Sequence, residues 1–254
     1  MAESLAGTAA LVTGASSGIG QAVAEQLAQH GAAVAVVARR ADRLEELVQR
    51  IEKNGGAAHA IAANLDAREG AFGAVAQAVG KLGRLDTVVN AAGVMLNGDS
   101  VKTPAPDWDR MVDINLRGVL HVTKAALPHL LEAVGTSSRK VTDVVNISSV
   151  AGRAAAPTVA VYNATKFGVT AATEAWRQEY TSRGIRFSVI EPGAVATELW
   201  NHESEEAAAG SAAMFDKVER LHAEDIADVL SYIVTGPRRV AINEVVIRPT
   251  DQTV

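Results

Sequence analysis

Short runs of β-branched and small apolar residues alternate with longer stretches of helical periodicity along this chain. The runs that predict strands are residues 9–12, 33–38, 57–62, 87–90, 141–147, 186–191 and 244–247. The stretches that predict helices are residues 18–29, 42–54, 68–81, 107–133, 158–182 and 223–235. Such alternation is typical of a parallel sheet covered by helices, and fully apolar runs such as VAVVA suit strands buried on both faces. We therefore predict an α/β fold, a single doubly wound domain with a seven-stranded parallel sheet.

The predicted domain spans residues 1–254, because no linker-like stretch, composition shift or internal repeat interrupts the pattern. Residues 194–221 are the exception. They follow the end of a strand and carry three glutamates beside an Ala-rich run. This stretch predicts a mobile helical lid over a substrate site.

Composition and charge exclude several classes of protein. The chain has 24 Lys and Arg against 29 Asp and Glu, a net charge of -5, and no basic block, so nucleic acid is not an expected partner. Cys is absent and the six His residues lack ligand spacing, which excludes a disulfide framework and structural zinc, so no metal is predicted. The start MAESLAGTAA does not resemble an export signal, and no apolar run approaches the about 18 residues of a membrane span. We predict a cytoplasmic protein with no membrane partner.

A glycine-rich turn, TGASSGIG at residues 13–20, joins the first predicted strand to the first helix. Its glycines, Gly14, Gly18 and Gly20, allow a tight reversal and a close approach of the backbone to a pyrophosphate at the helix N-terminus. An isolated match is no more than a tight turn. Its position between strand and helix favours a dinucleotide site of the Rossmann type.

The end of the second predicted strand indicates which dinucleotide is bound. An NAD-specific site has a carboxylate there for the adenosine ribose, but this chain has Ala38 followed by Arg39 and Arg40. Arginine suits a 2′-phosphate, because its guanidinium makes paired, charge-assisted hydrogen bonds to oxyanions. The pair favours NADP(H), with two solvated surface arginines as the alternative.

Tyr162 and Lys166 lie at positions i and i+4 of a predicted helix, on one face. A free phenol has a pKa of about 10, so tyrosine is a poor proton donor and acceptor at neutral pH unless a cation stabilises its phenolate. Lys166 supplies such a cation. Upstream, the strand VVNI ends in Ser148 and Ser149, where a hydroxyl can hydrogen-bond a substrate carbonyl or simply cap a turn.

Six motifs in this order resemble the short-chain dehydrogenase/reductase family. They are TGASSGIG, NAAG (90–93), NLRG (115–118), NISS (146–149), YNATK (162–166), and EPG (191–193) with Thr197 four residues beyond. The resemblance covers nearly the whole chain. It implies NADPH-dependent reduction of an aldehyde or ketone by hydride transfer.

The resemblance also implies a role for each matching residue. Tyr162 would be the general acid and base, Lys166 would lower its pKa and bind the nicotinamide ribose, Ser149 would hold the substrate oxygen, and Asn115 would position a water in a proton relay. Asn115 alone could equally be a helix-packing residue, and Asn90 could only cap its strand. The implied cofactor-binding residues are Gly14, Ser16, Ser17, Gly18, Ile19, Gly20, Arg39, Arg40, Asn64, Leu65, Asn90, Ala91, Gly93, Tyr162, Lys166, Pro192, Gly193, Val195 and Thr197.

Finer features leave alternatives open. AGVM, AVYNATKFGV, IEPG and IRPTDQ resemble reductases of 3-hydroxy acids and of secondary-metabolite aldehydes, and Arg153 is a candidate partner for an acidic substrate's carboxylate or a surface arginine. The family's usual interfaces imply a homotetramer, with a dimer as the alternative. Oxidation of a hydroxy acid or secondary alcohol, or a scaffold that binds a nucleotide without catalysis, are the alternative functions.

Overall fold

Seven parallel strands form one sheet in a computed structural model of the chain, which describes residues 4–202 and 218–253. The strands are β1 (Ala9–Thr13), β2 (Ala33–Ala38), β3 (Ala57–Ala62), β4 (Thr87–Asn90), β5 (Thr142–Ile147), β6 (Ile185–Pro192) and β7 (Glu244–Ile247). Their order is β3-β2-β1-β4-β5-β6-β7, and every neighbouring pair is parallel. The predicted fold class and strand number are confirmed.

Helices connect the strands and cover both faces of the sheet. They are α1 (Gly18–Gln29), α2 (Ala41–Lys53), α3 (Arg68–Leu82), α4 (Ala105–Val112), α5 (Val119–Thr136), α6 (Ala160–Tyr180) and α7 (Ala223–Val234). None of the helices in the described ranges is long and apolar enough to cross a bilayer.

Two apolar layers hold the helices on the sheet. On one face of the sheet, Leu27 of α1, Leu44 of α2 and Leu230 of α7 pack on every second residue of the strands. On the other face, Val75 of α3 and Leu130 of α5 pack on the strand residues between those. Because neighbouring strand residues point to opposite faces, strands that are apolar throughout supply both layers.

The sheet reverses its winding direction between β1 and β4. The chain runs outward from β1 through β2 to β3, then returns to place β4 on the other side of β1. In a doubly wound sheet the loops at the carboxyl ends of these two strands diverge, which leaves a crevice for a ligand. The fold therefore directs the loops after β1 and β4 to the candidate site.

The predicted helix over residues 107–133 is wrong in one respect. The segment begins at Ala105 and is interrupted by a six-residue π-helix, Asp113–Gly118, which separates α4 from α5. Hydrophobic periodicity does not report the i to i+5 hydrogen bonds of a π-helix, which are often found at functional sites. Asn115 lies inside this interruption and is buried.

The segment predicted to be a lid is described only at its two ends. Glu198–His202 form a short 3-10 helix, and residues 203–217, with the three glutamates, lie outside the described residues. The Ala196 amide donates to the Leu221 carbonyl at 2.8 Å, and the Leu221 amide donates to the Ala194 carbonyl at 3.0 Å. These two bonds join the beginning and end of the segment next to β6.

Candidate active site

A cavity of about 490 Å³ lies at the carboxyl ends of β1 to β6 and collects most of the predicted site residues. Those that line it are Gly14, Ser16, Ser17, Gly18, Ile19, Gly20, Arg39, Arg40, Asn64, Leu65, Ala91, Gly93, Ser149, Tyr162, Lys166, Pro192, Gly193, Val195 and Thr197. Asn90 and Asn115 are predicted site residues that are not part of the lining. The structure therefore brings together residues that are up to 183 positions apart in the sequence, from Gly14 to Thr197.

The glycine turn needs its glycines for space as well as for conformation. Gly14 has a φ of +68°, and a Cβ there would lie 2.7 Å from the Ala91 carbonyl oxygen. A Cβ on Gly20 would lie 2.5 Å from the Gly14 carbonyl oxygen. The turn thus packs directly on the loop after β4. Ser17 precedes α1 without capping its amides, so these amides remain suited to an anion.

Arg40 gathers the hydroxyls of the glycine turn. Its Nε donates to Ser16 Oγ at 3.1 Å, and its Nη2 donates to Ser16 Oγ and Ser17 Oγ at 2.9 Å each. Arg39 is exposed, lines the cavity, and has no ion-pair partner in the part of the chain that the structure describes. Two guanidinium groups and two hydroxyls at one end of a dinucleotide cleft match the donors that a phosphomonoester requires.

Glu198 is a member of this cluster that the sequence analysis missed. Its carboxylate accepts from Arg40 Nη1 at 2.9 Å and from Arg43 Nη1 at 2.5 Å. Hydrogen bonds from Arg43 and Arg40 lower the pKa of the Glu198 carboxyl to about 2. No local pattern signals these contacts, because Glu198 lies more than 150 residues from both arginines in the sequence.

Asn64 follows β3 and lines the cavity. Its side-chain amide donates to Asp66 Oδ2 at 2.7 Å, which leaves its carbonyl oxygen to accept from a ligand. The neighbouring Leu65 is buried and lines the same part of the cavity. An amide acceptor beside an apolar side chain suits a purine ring with an exocyclic amino group.

The two serines after β5 have different surroundings. Ser148 is buried, and its hydroxyl donates to the Lys166 carbonyl at 3.1 Å and hydrogen-bonds Thr170 at 3.0 Å. Ser149 is half-buried, and its Oγ accepts from the Ala151 amide at 3.1 Å. Its hydroxyl also donates to the Pro192 carbonyl at 3.5 Å, a long bond that a substrate carbonyl can replace, so Ser149 is the serine suited to hold a carbonyl oxygen.

Tyr162 and Lys166 occupy one face of α6, on the cavity wall, as predicted from their spacing. Both residues are buried, and Lys166 Nζ lies 5.6 Å from the centre of the Tyr162 ring. Lys166 Nζ donates to the Ile147 carbonyl at 2.9 Å. Burial lowers the pKa of Lys166 to about 8, because desolvation disfavours the ammonium. The pKa of Lys166 therefore lies only slightly above neutral pH.

Asn115 and Asn90 use their side chains within the protein. Asn115 Oδ1 accepts from the Val94 amide and its Nδ2 donates to the Val94 carbonyl, both at 2.8 Å, which fixes the loop after β4. Its Oδ1 and Lys166 Nζ both lie within 4 Å of a Cβ built on Gly93. Asn90 Nδ2 donates to Asn146 Oδ1 at 2.8 Å inside the sheet. Asn115 therefore borders the site, whereas Asn90 supports the strand that leads to it.

The cavity around Tyr162 is apolar. A cluster of buried or half-buried side chains surrounds the phenol, and its members that line the cavity are Val94, Met95, Ile114, Ala151, Leu199 and Trp200. The charged side chains among the described lining residues are Lys166 and the three at the other end, Arg39, Arg40 and Glu198. The side chains packed around Tyr162 are therefore mainly apolar, with Lys166 as the charged group beside the ring.

Arg153 does not fill the role suggested for it. It is absent from the cavity lining, and its guanidinium pairs with the carboxylates of Glu191 and Glu244. Glu191 is fully buried and Arg153 is exposed, so Arg153 is a surface arginine paired with a buried carboxylate, which is the alternative given for it. The suggestion that Arg153 holds a substrate carboxylate is corrected accordingly.

Two further residues that the sequence analysis did not single out shape the site. The Thr13 hydroxyl accepts from the amides of Ala91 and Ala92 at 3.1 and 3.2 Å and so ties the turn after β1 to the loop after β4. Asn163 Nδ2 donates to the carbonyls of Ala151 and Ala154 and holds the loop after Ser149. Both lie inside recognised motifs, but a motif does not reveal its partner. Within residues 4–202 and 218–253, no cluster of three His, Asp or Glu side chains is placed to hold a metal ion.

Comparison with known structures identifies close structural neighbours. A short chain dehydrogenase from Burkholderia cenocepacia, crystallised with NADP, superposes with a TM-score of 0.84 at 28% identity, covering 96% of this chain and 97% of that one. A 3-ketoacyl-(acyl-carrier-protein) reductase from Brucella melitensis, complexed with NADH, superposes with a TM-score of 0.85 at 28% identity, covering 99% and 100%.

Sequence comparison identifies the family. Glycine betaine reductase ATRR of Emericella nidulans is 37% identical over 250 residues, which are 98% of this chain but 19% of that much longer protein. An uncharacterized oxidoreductase of Staphylococcus epidermidis is 34% identical over 240 residues, 94% of this chain and 96% of that protein. The family model for short chain dehydrogenase matches residues 8–208. The chain therefore belongs to the short-chain dehydrogenase family of oxidoreductases.

Proposed function

We propose that the chain is an NADPH-dependent reductase that converts an aldehyde or ketone to an alcohol, with Tyr162 as the acid that protonates the carbonyl oxygen. The observation that carries the proposal is that Ser149, Tyr162 and Lys166 line the same cavity as the glycine turn. An acid, a hydroxyl donor and a buried cation in a dinucleotide cleft are the groups that hydride transfer to a carbonyl requires.

The cavity has the space and donors for a nicotinamide dinucleotide. The turn at Gly14 and Gly20 leaves no room for side chains, so backbone amides can meet a pyrophosphate, and Ser16, Ser17, Arg39 and Arg40 would hold a 2′-phosphate. Pro192, Gly193, Val195 and Thr197 would meet the nicotinamide carboxamide and the phosphates, and Ala91 and Gly93 would lie under the adenosine side. When bound, the reduced nicotinamide supplies the hydride. The neighbours that contain NADP or NADH support this assignment.

Side chains of the protein donate the proton that the carbonyl oxygen receives. The Ser149 hydroxyl would donate to the carbonyl oxygen and hold it next to the Tyr162 hydroxyl, which gives up its proton as negative charge develops on that oxygen. The Lys166 ammonium, buried beside the ring, favours the phenolate that remains. With a pKa of about 8, Lys166 is largely charged at neutral pH.

We propose that Asn115 helps to return a proton from solvent to the Tyr162 phenolate. Its amide oxygen lies near Gly93 and Lys166, and the π-helix of which it is part borders the cavity. A water held between Asn115 and Lys166 would connect the phenol to solvent. Its hydrogen bonds to Val94 make it a positioning residue for the loop as well.

The substrate that best fits the apolar part of the cavity is a neutral, apolar carbonyl compound. Met95, Leu199 and Trp200 line this part, and Arg153 is held elsewhere by Glu191. The cation among the described residues that line this part is Lys166, which is already assigned to Tyr162, so a substrate carboxylate buried there would have no cation of its own, and such burial is unfavourable. A neutral aldehyde or ketone is thus favoured over a 3-oxo acid, whereas resemblance to reductases of 3-hydroxy acids suggests the reverse.

The test is the absorbance of reduced nicotinamide during incubation with neutral aldehydes, neutral ketones and 3-oxo acids, with NADPH and NADH in separate series, and with alcohols and NADP⁺ in a further series. We expect oxidation of NADPH with a neutral carbonyl compound. Tight binding of NADPH without turnover of any carbonyl or alcohol would contradict the proposed reaction and favour a binding scaffold. Turnover only of alcohols with NADP⁺ would favour the oxidative direction.

Two further proposals concern the assembly and the lid. We propose a homotetramer in which the outer faces of α5 and α6 contribute an interface, supported by the partly exposed Phe167 of α6. We also propose that residues 194–221 close over the substrate, supported by Leu199 and Trp200, which belong to this segment and line the cavity. Residence in the cytoplasm remains a prediction from the sequence.

A further inference from the structure

The Glu198 carboxylate connects two segments that meet at the end of the cavity proposed to hold the 2′-phosphate of NADPH. It begins the 3-10 helix that follows β6, on the segment proposed to close over the substrate. Arg40 and Arg43, its two partners, lie at the beginning of α2. The carboxylate therefore joins the segment after β6 to the group of donors proposed for the 2′-phosphate.

The contacts of Arg40 are divided between two kinds of acceptor. Nε and Nη2 face the hydroxyls of Ser16 and Ser17, which are neutral and can reorient to donate to a phosphate. Nη1 faces the Glu198 carboxylate at 2.9 Å, and the second oxygen of that carboxylate is held by Arg43. Glu198 thus makes with Arg40 the kind of charge-assisted bond that a phosphate oxygen would make, while Arg43 holds its other oxygen.

An anion that already binds these guanidinium groups opposes the arrival of another anion. A 2′-phosphate that is to bind Arg40 Nη1 must displace a carboxylate that is ionised throughout the neutral range, and the loss of its charge-assisted bonds reduces the net gain from the new ones. The adenosine ribose of NADH carries no such phosphate, so it does not experience this opposition. The side chains of Arg40, Arg43 and Glu198 are each about 40% exposed, so solvent screens the effect without removing it.

We propose that Glu198 is a residue that determines cofactor specificity, because its carboxylate, which Arg43 holds in place, competes with the 2′-phosphate of NADPH for Arg40 and so reduces the preference for NADPH over NADH. This inference rests on the proposed function, since it requires both dinucleotides to bind in the cavity. It assigns to the segment after β6 a role in cofactor selection, beyond its contribution to the substrate site.

The experiment is isothermal titration calorimetry of the full chain with NADPH and, separately, with NADH. It measures the Kd of each dinucleotide without turnover. In Glu198→Gln, the Kd for NADPH should fall about tenfold, whereas the Kd for NADH should change by less than about twofold. The matched control is Glu25→Gln. Glu25 pairs with Arg50 at 2.9 Å between α1 and α2, with similar exposure, and its removal should leave both Kd values unchanged.

A variant that lacks Arg40 and Arg43 shows whether Glu198 changes the NADPH Kd by way of these two arginines. In the double variant Arg40→Gln with Arg43→Gln, adding Glu198→Gln should give no further change in the NADPH Kd, because both guanidinium groups that Glu198 occupies are gone. A gain that persists there, or equal gains for both dinucleotides, would overturn the inference and indicate general charge repulsion. A loss of NADH binding in Glu198→Gln would also overturn it, because Glu198 would then be a ribose acceptor.

The failure of this inference can be told apart from that of the proposed function. A wild-type chain that bound neither dinucleotide would overturn the proposed function itself. Binding of both, with an unchanged ratio of Kd values in Glu198→Gln, would overturn only the role of Glu198.

Discussion

The sheet has an amino edge and a carboxyl edge, where its strands begin and end, and the polar side chains at these edges have different partners. Those at the amino edge bind one another, whereas those at the carboxyl edge face a cavity. At the amino edge, Asp143 is fully buried and its carboxylate accepts from Arg186 Nε at 2.7 Å and Nη2 at 3.0 Å. Arg186 in turn donates to carbonyls beyond α7, including those of Gly236 and Val240. At the carboxyl edge, Ser149 and Tyr162 face the cavity.

The difference teaches how one sheet combines stability with function. A buried charge whose partners all belong to the protein contributes to the folded state, and its removal leaves those partners unpaired. A polar group that faces a cavity keeps part of its bonding capacity for a ligand. Changes at the amino edge should therefore alter the free energy of unfolding, and changes at the carboxyl edge should alter binding and turnover.

The largest effect is expected at Tyr162. Tyr162→Phe removes the proposed acid without changing the shape of the ring, so the turnover rate should fall roughly 10³-fold. The free energy of unfolding should change little, as measured by urea denaturation. The matched control is Tyr180→Phe, because Tyr180 packs near Phe187 away from the cavity, and its turnover should stay normal. Near-normal turnover in Tyr162→Phe would contradict the proposed acid.

The next effect is expected at Asp143. Asp143→Ala leaves Arg186 and Arg139 buried without their carboxylate, which should lower the free energy of unfolding by about 3–5 kcal/mol. NADPH binding should remain normal where the variant is folded. The control is Glu174→Ala, which removes an exposed pair with Arg177 and should cost much less in urea denaturation. A similar loss in both variants would remove the proposed contrast between the edges.

Lys166 sharpens the comparison, because it is buried at the carboxyl edge without a carboxylate partner among the described residues. Its pKa is about 8 in the folded chain and about 10.4 in the unfolded chain. The unfolded chain binds more protons between these values, so the cost of burying Lys166 is fully present below pH 8 and disappears as the pH rises toward 10.

Lys166→Met should therefore increase the free energy of unfolding at pH 7 by about 2 kcal/mol, after allowance for the lost bond to the Ile147 carbonyl. This advantage over the wild type should shrink as the pH approaches 10, and turnover should be lost. Urea denaturation at both pH values measures it, with the exposed Lys124→Met as control. A variant less stable than wild type at pH 7 would show that Lys166 stabilises the fold.

The smallest effect is expected at the arginines after β2. Replacing Arg39 and Arg40 with Gln should weaken NADPH binding about tenfold, because charge-assisted bonds to the 2′-phosphate are lost, and should leave NADH binding nearly unchanged. Fluorescence titration of the reduced nicotinamide measures both. Equal losses for the two dinucleotides would contradict a phosphate role for this pair.

The sequence was sufficient for the sheet and for the residues of recognisable motifs. Strands that are buried on both faces consist of apolar runs, so their number and place could be read directly, and motif positions led to Ser149, Tyr162 and Lys166. The π-helix could not be predicted, because helical periodicity is nearly the same with or without it.

The contacts between distant segments also lay beyond the sequence. Arg153 was judged from its position just after Ser149, but its direction is set by Glu191 and Glu244 on other strands. Glu198 gave no signal at all, because its contacts with Arg40 and Arg43 depend on how β6 and α2 are placed by the whole sheet. Local patterns predict elements, and tertiary packing decides which side chains meet.

The strand order has a consequence for synthesis of the chain. β1 lies in the middle of the sheet, with β2 on one side and β4 on the other, yet it ends at Thr13 and β4 begins at Thr87. At ribosomal rates of about 5–20 residues per second, roughly 4–15 seconds separate their emergence. During that interval one edge of the apolar strand AALVT has no native partner, and its unpaired backbone groups are open to pairing with other strands until β4 emerges.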